Sequence, residues 1–94
     1  MESIIVGKEK IDKEDFVKRV YENVNEMKIP LIDERVYDKA AIKPGTVDVT
    51  FKYEGDDSVI KGFLGLADYY HTVVIRKGFA FYIPWNNVLF SLLC

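Results

Sequence analysis

Histidine and cysteine, the residue types that most often bind metals or act as nucleophiles, each occur once in this sequence. The histidine is His71, and the cysteine is the last residue, Cys94. A structural zinc site takes about four such ligands at close spacing, so we expect no metal and no cofactor. A lone cysteine also excludes an intramolecular disulfide, which favours a reducing compartment.

Serines and one pair of aspartates are the remaining candidates for catalysis. Ser3, Ser58 and Ser91 fall in a predicted leader, turn and strand, without the strand-turn-helix context of a catalytic serine. Asp56–Asp57 is typical of a solvated turn. No glycine-rich phosphate loop precedes a helix. We therefore predict that the protein is not an enzyme.

Charge and apolar content narrow the partners. The 13 basic and 15 acidic residues leave a net charge of −2, which gives no long-range attraction for the phosphates of duplex DNA. No apolar run approaches the ~20 residues that cross a bilayer, and the first residues lack a signal peptide, so we expect a cytoplasmic protein without membrane contact. Six Tyr and six Phe exceed what one small core can hide, which predicts a subunit interface.

The clearest predicted element is an amphipathic helix at residues 12–28, within an N-terminal extension at residues 1–45. Asp12 is a good N-cap, and Pro30 ends the helix by disfavouring helical geometry in the residue before it. One apolar stripe recurs at helical spacing. Its members are Phe16, Val17, Val20, Tyr21, Val24 and Met27. Residues 1–10 are predicted to be a loose leader, and residues 30–45 fit either a short helix or an extended crossing segment.

From Thr46 onward the apolar period changes to two, which predicts strands. A first strand ends at a hairpin turn in residues 54–58. The apolar segment 59–75 contains Gly62 and Gly65, which we interpret as bends in a long strand. Further strands follow at 79–83 and 88–93. We predict one domain overall, in which residues 46–94 form a small, strongly bent, antiparallel five-stranded β-barrel.

Two segments resemble the motifs of the Sm-like family. In residues 61–75, Gly62, Leu64 and Asp68 stand where that family has its glycine, apolar residue and aspartate. His71 stands at its base-stacking position, with Thr72 where an asparagine is expected. Residues 83–90 are similar to its second motif, with Pro84 and Trp85 in place of an arginine and a glycine.

The resemblance implies a non-catalytic homo-oligomeric ring of five to seven subunits whose ligand is single-stranded RNA. The implied nucleic-acid-binding residues are Asp68, His71, Thr72, Trp85 and Asn86. The last strand would pair with a bent strand of the next subunit. The implied oligomer interface is formed by Val88, Leu89, Phe90 and Leu92.

Two alternatives stay open. The helix that ends near Pro30, followed by strands, also resembles the stringent starvation protein B family, whose members are protein-binding adaptors with a dimerising N-terminal helix. The third alternative is a structural or virus-encoded assembly protein without a small ligand. Subunit mass separates a ring from a dimer.

Overall fold

The structure, a computed structural model, describes residues 12–37 and 45–94. In chain order these residues form helix α1 (Lys13–Met27), strands β1 (Leu31–Asp33) and β2 (Val47–Lys52), helix α2 (Asp57–Tyr69), and strands β3 (Val74–Lys77), β4 (Ala80–Trp85) and β5 (Val88–Leu93). The predicted leader and residues 38–44 of the ambiguous segment lie outside the described residues. The described start of that segment includes the short strand β1.

The predicted N-terminal helix is confirmed as α1. The Asp12 carboxylate accepts a hydrogen bond from the backbone N–H of Glu14, as expected for an N-cap. The helix ends at Lys28, which adopts the left-handed conformation at φ 59°. Four members of the predicted stripe are buried, namely Phe16, Val17, Val20 and Val24.

The five strands form one mixed sheet in the order β1-β3-β4-β5-β2. β4 runs antiparallel to both of its neighbours, β3 and β5, and a tight turn joins it to each of them. β1 is parallel to β3, and β2 is parallel to β5. The sheet has five strands, but β1 precedes residues 46–94, where all five were expected, and the segment around Gly62 is a helix instead of a strand. The expected closed antiparallel barrel is replaced by an open mixed sheet whose edges are β1 and β2.

Helix α2 is the physical reason for this difference. Residues 57–69 are helical, where the sequence had suggested a glycine-bent strand. The predicted hairpin turn before them is instead an N-cap, in which the Asp56 carboxylate accepts from the N–H of Ser58 at 2.9 Å. The helix buries residues at a spacing of three and four. They are Ile60, Phe63, Leu64 and Ala67. Because a strand cannot bury such a set on one face, packing overrides the low helix propensity of Gly62 and Gly65.

Both helices cover the same face of the sheet. The Phe16 ring of α1 lies 5.0 Å from the Tyr53 ring, just beyond β2, and 5.8 Å from the Phe81 ring of β4. The Phe63 ring of α2 lies 6.0 Å from the Phe51 ring of β2. One core therefore lies between the helices and this helix-covered face, and alternate strand residues point to the opposite face.

Candidate functional site

The strand β2 is the longer edge of the sheet, and one of its sides is unpaired in the described part of the chain. Val47 donates its N–H to the Asn87 carbonyl at 2.9 Å, and Tyr53 donates to the Leu93 carbonyl at 2.8 Å. Backbone groups alternate in direction along a strand, so the odd-numbered residues of β2 bond to β5. The N–H and C=O groups of Asp48, Thr50 and Lys52 therefore point away from the sheet.

An apolar strip runs beside this edge on the helix-covered face. We define it as Val47 and Val49 of β2 with their partners Val88 and Phe90 on β5. The exposed fraction is 60% for Val47 and 37% for Val49. Exposed valines on a flat edge strand favour association with another chain, because they leave apolar area in water next to unpaired backbone groups.

Aromatic rings continue the strip toward the end of α2. The Tyr70 ring stacks between two others, with its centroid 4.1 Å from that of Trp85 and 6.1 Å from that of Phe90. Tyr69 meets Tyr70 edge-on at 5.0 Å and is 75% exposed. This aromatic stack gives the strip a rigid end, since flat rings lose little conformational freedom when they pack.

The other side of β2 is polar. Asp48, Thr50 and Lys52 alternate with the valines and point to the opposite face. The Oγ of Ser91, which is only 3% exposed, lies 3.2 Å from the Thr50 hydroxyl and 3.4 Å from the Asp48 carboxylate. These contacts hold the side chains of the edge in register with β5.

The far end of β2 is anchored by a charged cluster. The Arg19 guanidinium of α1 donates to the Tyr53 hydroxyl at 3.1 Å and lies 3.5 Å from the Asp57 carboxylate. It also forms an ion pair with Asp15 at 3.1 Å. Burial of the phenol raises the pKa of Tyr53, so its hydroxyl stays protonated and donates to Asp57. The cluster ties α1, the end of β2 and the start of α2 together.

The residues expected to bind nucleic acid fall into two groups. Asp68, His71 and Thr72 line one cleft of about 280 Å³ next to residues 28–30. His71 has a left-handed backbone, φ 54°, and its N–H donates to the Asp68 carbonyl at 3.2 Å. The Thr72 hydroxyl donates to the Pro84 carbonyl at 3.2 Å, so it stabilises the start of the β4–β5 turn.

The second group lies in and beside that turn. Trp85 is in the aromatic stack rather than in the cleft, and Asn86 is an exposed turn residue with φ 51°. The residue that sequence reasoning underrated is Tyr70, which connects Trp85 to the apolar strip. The Tyr69–Tyr70 pair was the only signal for it in the sequence.

The predicted oligomer interface needs a correction. β5 pairs with β4 on one side and with β2 on the other, so it has no edge to offer a neighbouring subunit. Leu92 is fully buried in the core. Val88, Leu89 and Phe90 are partly exposed, and Val88 and Phe90 belong to the apolar strip. Sequence reasoning did not identify β2 as the edge strand, because the alternation of apolar residues predicts strands but not their order in the sheet.

One cavity lies on the opposite face of the sheet. It measures about 420 Å³ and is lined by Glu34, Tyr37, Asp48, Ile75, Lys77, Tyr82 and Leu89. Lys77 and Glu34 face each other across it at 3.9 Å. Asp48 is the residue of β2 that lines it.

Comparison with known proteins gives no family. The chain matches no protein-family model, no curated protein and no solved structure. Within residues 12–37 and 45–94, no three His, Cys, Asp or Glu side chains gather into a group that could hold a metal ion. None of the helices in these ranges is long and apolar enough to cross a membrane.

Proposed function

We propose that this protein is a non-catalytic binding module that holds a partner chain by β-strand addition at β2. The observation that carries the proposal is the outward row of backbone groups at Asp48, Thr50 and Lys52. In this mode of recognition the main-chain hydrogen bonds supply affinity, and the side chains that flank them supply specificity.

The apolar strip supports the same proposal. A partner strand laid against β2 would cover the exposed carbons of Val47 and Val49, which removes apolar area from water in addition to pairing the backbone. The aromatic stack at the end of the strip adds rings of the kind that are enriched at protein interfaces. The surplus of aromatic residues in the sequence is consistent with this use.

A proline substitution at Thr50 tests the proposal. Thr50→Pro removes the outward N–H, and an edge strand tolerates proline where its N–H faces solvent. Thr50→Val is the matched control, because it also loses the hydroxyl contact with Ser91 but keeps the N–H. The probe is a synthetic peptide with the sequence of residues 46–53, titrated into each full-length variant.

We expect the peptide to bind the wild type and Thr50→Val and to protect the amides of Asp48 and Lys52 from hydrogen exchange. Thr50→Pro should bind at least about tenfold more weakly, since one lost hydrogen bond is worth about 1 kcal/mol and the neighbouring pairs are distorted. Equal binding by Thr50→Pro, or protection of amides elsewhere but not in β2, would refute strand addition at this edge.

We also propose a second candidate function, the binding of single-stranded RNA by stacking, because Tyr69 leaves most of its ring in solvent. Labelled oligouridine at low salt is the probe. Tyr69→Ala and Trp85→Ala should each weaken binding by about 1–3 kcal/mol. Phe79→Ala is the control. It removes another exposed ring, just before β4 and so at the opposite end of that strand from Trp85, and it should leave binding unchanged. No binding by the wild type removes this candidate, and unchanged affinity in Tyr69→Ala removes the site.

A further inference from the structure

We infer that the strand added to β2 is β2 of a second copy, antiparallel, with a two-fold axis at Thr50. This inference rests on the proposed strand addition and adds the identity, direction and register of the partner. It would join the two sheets into one continuous sheet of about ten strands, since each copy contributes five.

Backbone geometry restricts the possible registers. In an antiparallel ladder, residues with outward N–H and C=O groups must face each other as hydrogen-bonded pairs. In β2 these residues are the even-numbered ones. Centring the pair on Thr50 places Asp48 opposite the partner's Lys52 and Thr50 opposite its own counterpart, so all three outward residues are paired. A shift of two residues in either direction leaves one of them beyond the end of the partner's β2.

Charge selects the same register. With the axis at Thr50, each Asp48 carboxylate faces the other copy's Lys52 ammonium, and this attraction occurs twice by symmetry. A shift of four residues would instead place Asp48 opposite Asp48, or Lys52 opposite Lys52, which like-charge repulsion disfavours. A parallel arrangement of two identical strands cannot be related by a two-fold axis that closes the assembly.

The side chains on the helix-covered face fit this register too. Val49 would face the partner's Phe51 in a pair without hydrogen bonds, where the side chains approach most closely. The two apolar strips would then meet across the axis. The exposed part of each Val49 would be covered by an apolar neighbour, whereas the charged pairs would lie on the opposite face.

The other edge of the sheet favours a dimer over a ring. A head-to-tail ring needs a second, different surface that receives β2. β1 has three residues, and the Asp33 carbonyl at its end already accepts the N–H groups of Val36 and Tyr37, at 2.9 and 3.3 Å. β1 therefore offers too few unpaired groups to receive a six-residue strand, whereas two copies of β2 satisfy each other.

Charge reversal provides the main test. Asp48→Lys and Lys52→Asp should each weaken the homodimer at least about tenfold, because each creates two like-charge contacts across the axis. A mixture of the two variants should form a one-to-one heterodimer with affinity near that of the wild type. The double variant Asp48→Lys/Lys52→Asp should also form a homodimer with affinity near that of the wild type. Asp48→Asn controls for loss of the carboxylate without repulsion. Native mass spectrometry and sedimentation measure the species.

Disulfide trapping tests the axis directly. In a Cys94→Ala background, Thr50→Cys should form a covalent dimer on mild oxidation, because the paired Cα atoms would lie ~5.5 Å apart, within disulfide range. Lys52→Cys in the same background is the control. Its counterpart would be displaced by four residues, roughly 13 Å along the strand, which is beyond that range.

Each outcome bears on the inference separately from the proposed function. A wild type that stays monomeric at high concentration, or a mass of five to seven subunits, overturns the two-fold dimer. A dimer without heterodimer rescue and without the Thr50 cross-link overturns the register. In any of these cases, binding of the peptide of residues 46–53 and its loss in Thr50→Pro would still support strand addition. Absence of peptide binding by a wild type that also stays monomeric would remove both, whereas a dimer that excludes the peptide already has its β2 edge occupied.

Discussion

The two edge strands of the sheet, β1 and β2, differ in whether their outward-facing backbone groups are protected from pairing with another strand. β1 is short and leads into a turn whose amides bond to the outward-facing Asp33 carbonyl. β2 has six residues and none of these features. Natural proteins usually protect their edge strands in the manner of β1. In the part of the chain that the structure describes, the outward side of β2 has no such protection.

Side chains reinforce the contrast. At β1 the Arg35 guanidinium pairs with the Asp33 carboxylate at 3.0 Å, so charge lies at the edge. β2 has its charged side chains, Asp48 and Lys52, on the opposite face only, and its exposed side chains on the helix-covered face are Val47 and Val49. Charge discourages a second strand because its desolvation is costly, whereas valine encourages it.

The largest effect is expected at the anchored end of β2. Tyr53 is buried against Phe16, so Tyr53→Ala should destabilise the fold by about 3–5 kcal/mol. Val47→Ala, at the exposed end of the same strand, should change stability by less than about 0.5 kcal/mol. Urea unfolding of both variants measures the difference. A comparable loss in both would mean that Val47 is packed inside and that the strip is not exposed.

A smaller effect is expected when the protection of β1 is copied onto β2. Val49→Lys places a charge at the open edge and should weaken association at least about tenfold. Val36→Lys adds the same charge beside β1, where the side chain is 78% exposed, and should leave association unchanged. Sedimentation equilibrium measures both. Equal weakening would show that net charge, rather than the β2 edge, controls association.

A further prediction concerns α2, because this helix connects β2 to the far side of the sheet. Gly62 has open space around its Cβ position and lies in the helix interior. Gly62→Ala should therefore stabilise the fold by about 0.5–1 kcal/mol. Thermal unfolding measures it. If residues 59–75 were instead a strand bent at this glycine, the same substitution would destabilise the protein.

The contrast between α1 and α2 explains how much of the fold could be predicted. α1 has a capping aspartate, a terminating proline and an uninterrupted apolar stripe, so local and long-range signals agree. In α2 the stripe of Ile60, Phe63, Leu64 and Ala67 was present in the sequence, but Gly62 and Gly65 suggested a bend. The glycines lie off the buried stripe, where they weaken the helix without preventing it.

The candidate site was harder to predict than the helices. Alternation identified β2 correctly as a strand, and the apolar end of the chain suggested self-association. Which strand lies at an edge depends on the crossover through α2, and a misassigned α2 makes the last strand look free. Asp48 and Lys52 carry no signal until β2 is placed at the edge, because alternating charges are common on any solvated strand.

The smallest predicted effect is the pH dependence of the protected edge. Hydrogen bonds from the Arg35 side chain and then from its backbone N–H lower the pKa of Asp33. A lowered pKa in the folded state means that the contribution to stability is present above the carboxyl's unfolded pKa. It is lost as pH falls through the lower, folded value.

Asp33→Asn should therefore lose less stability than the wild type between neutral pH and about pH 3, below the ordinary aspartate range. Arg35→Ala should show the same reduced pH dependence, and the double variant should add nothing, because both residues act through one contact. At neutral pH the amides of Val36 and Tyr37 should exchange faster in both single variants, since the turn that occupies the Asp33 carbonyl is loosened. Urea unfolding across pH and hydrogen exchange provide the two measurements. A wild-type profile parallel to that of Asp33→Asn at every pH would show that this ion pair does not protect β1, and the difference between the edges would then depend on strand length alone.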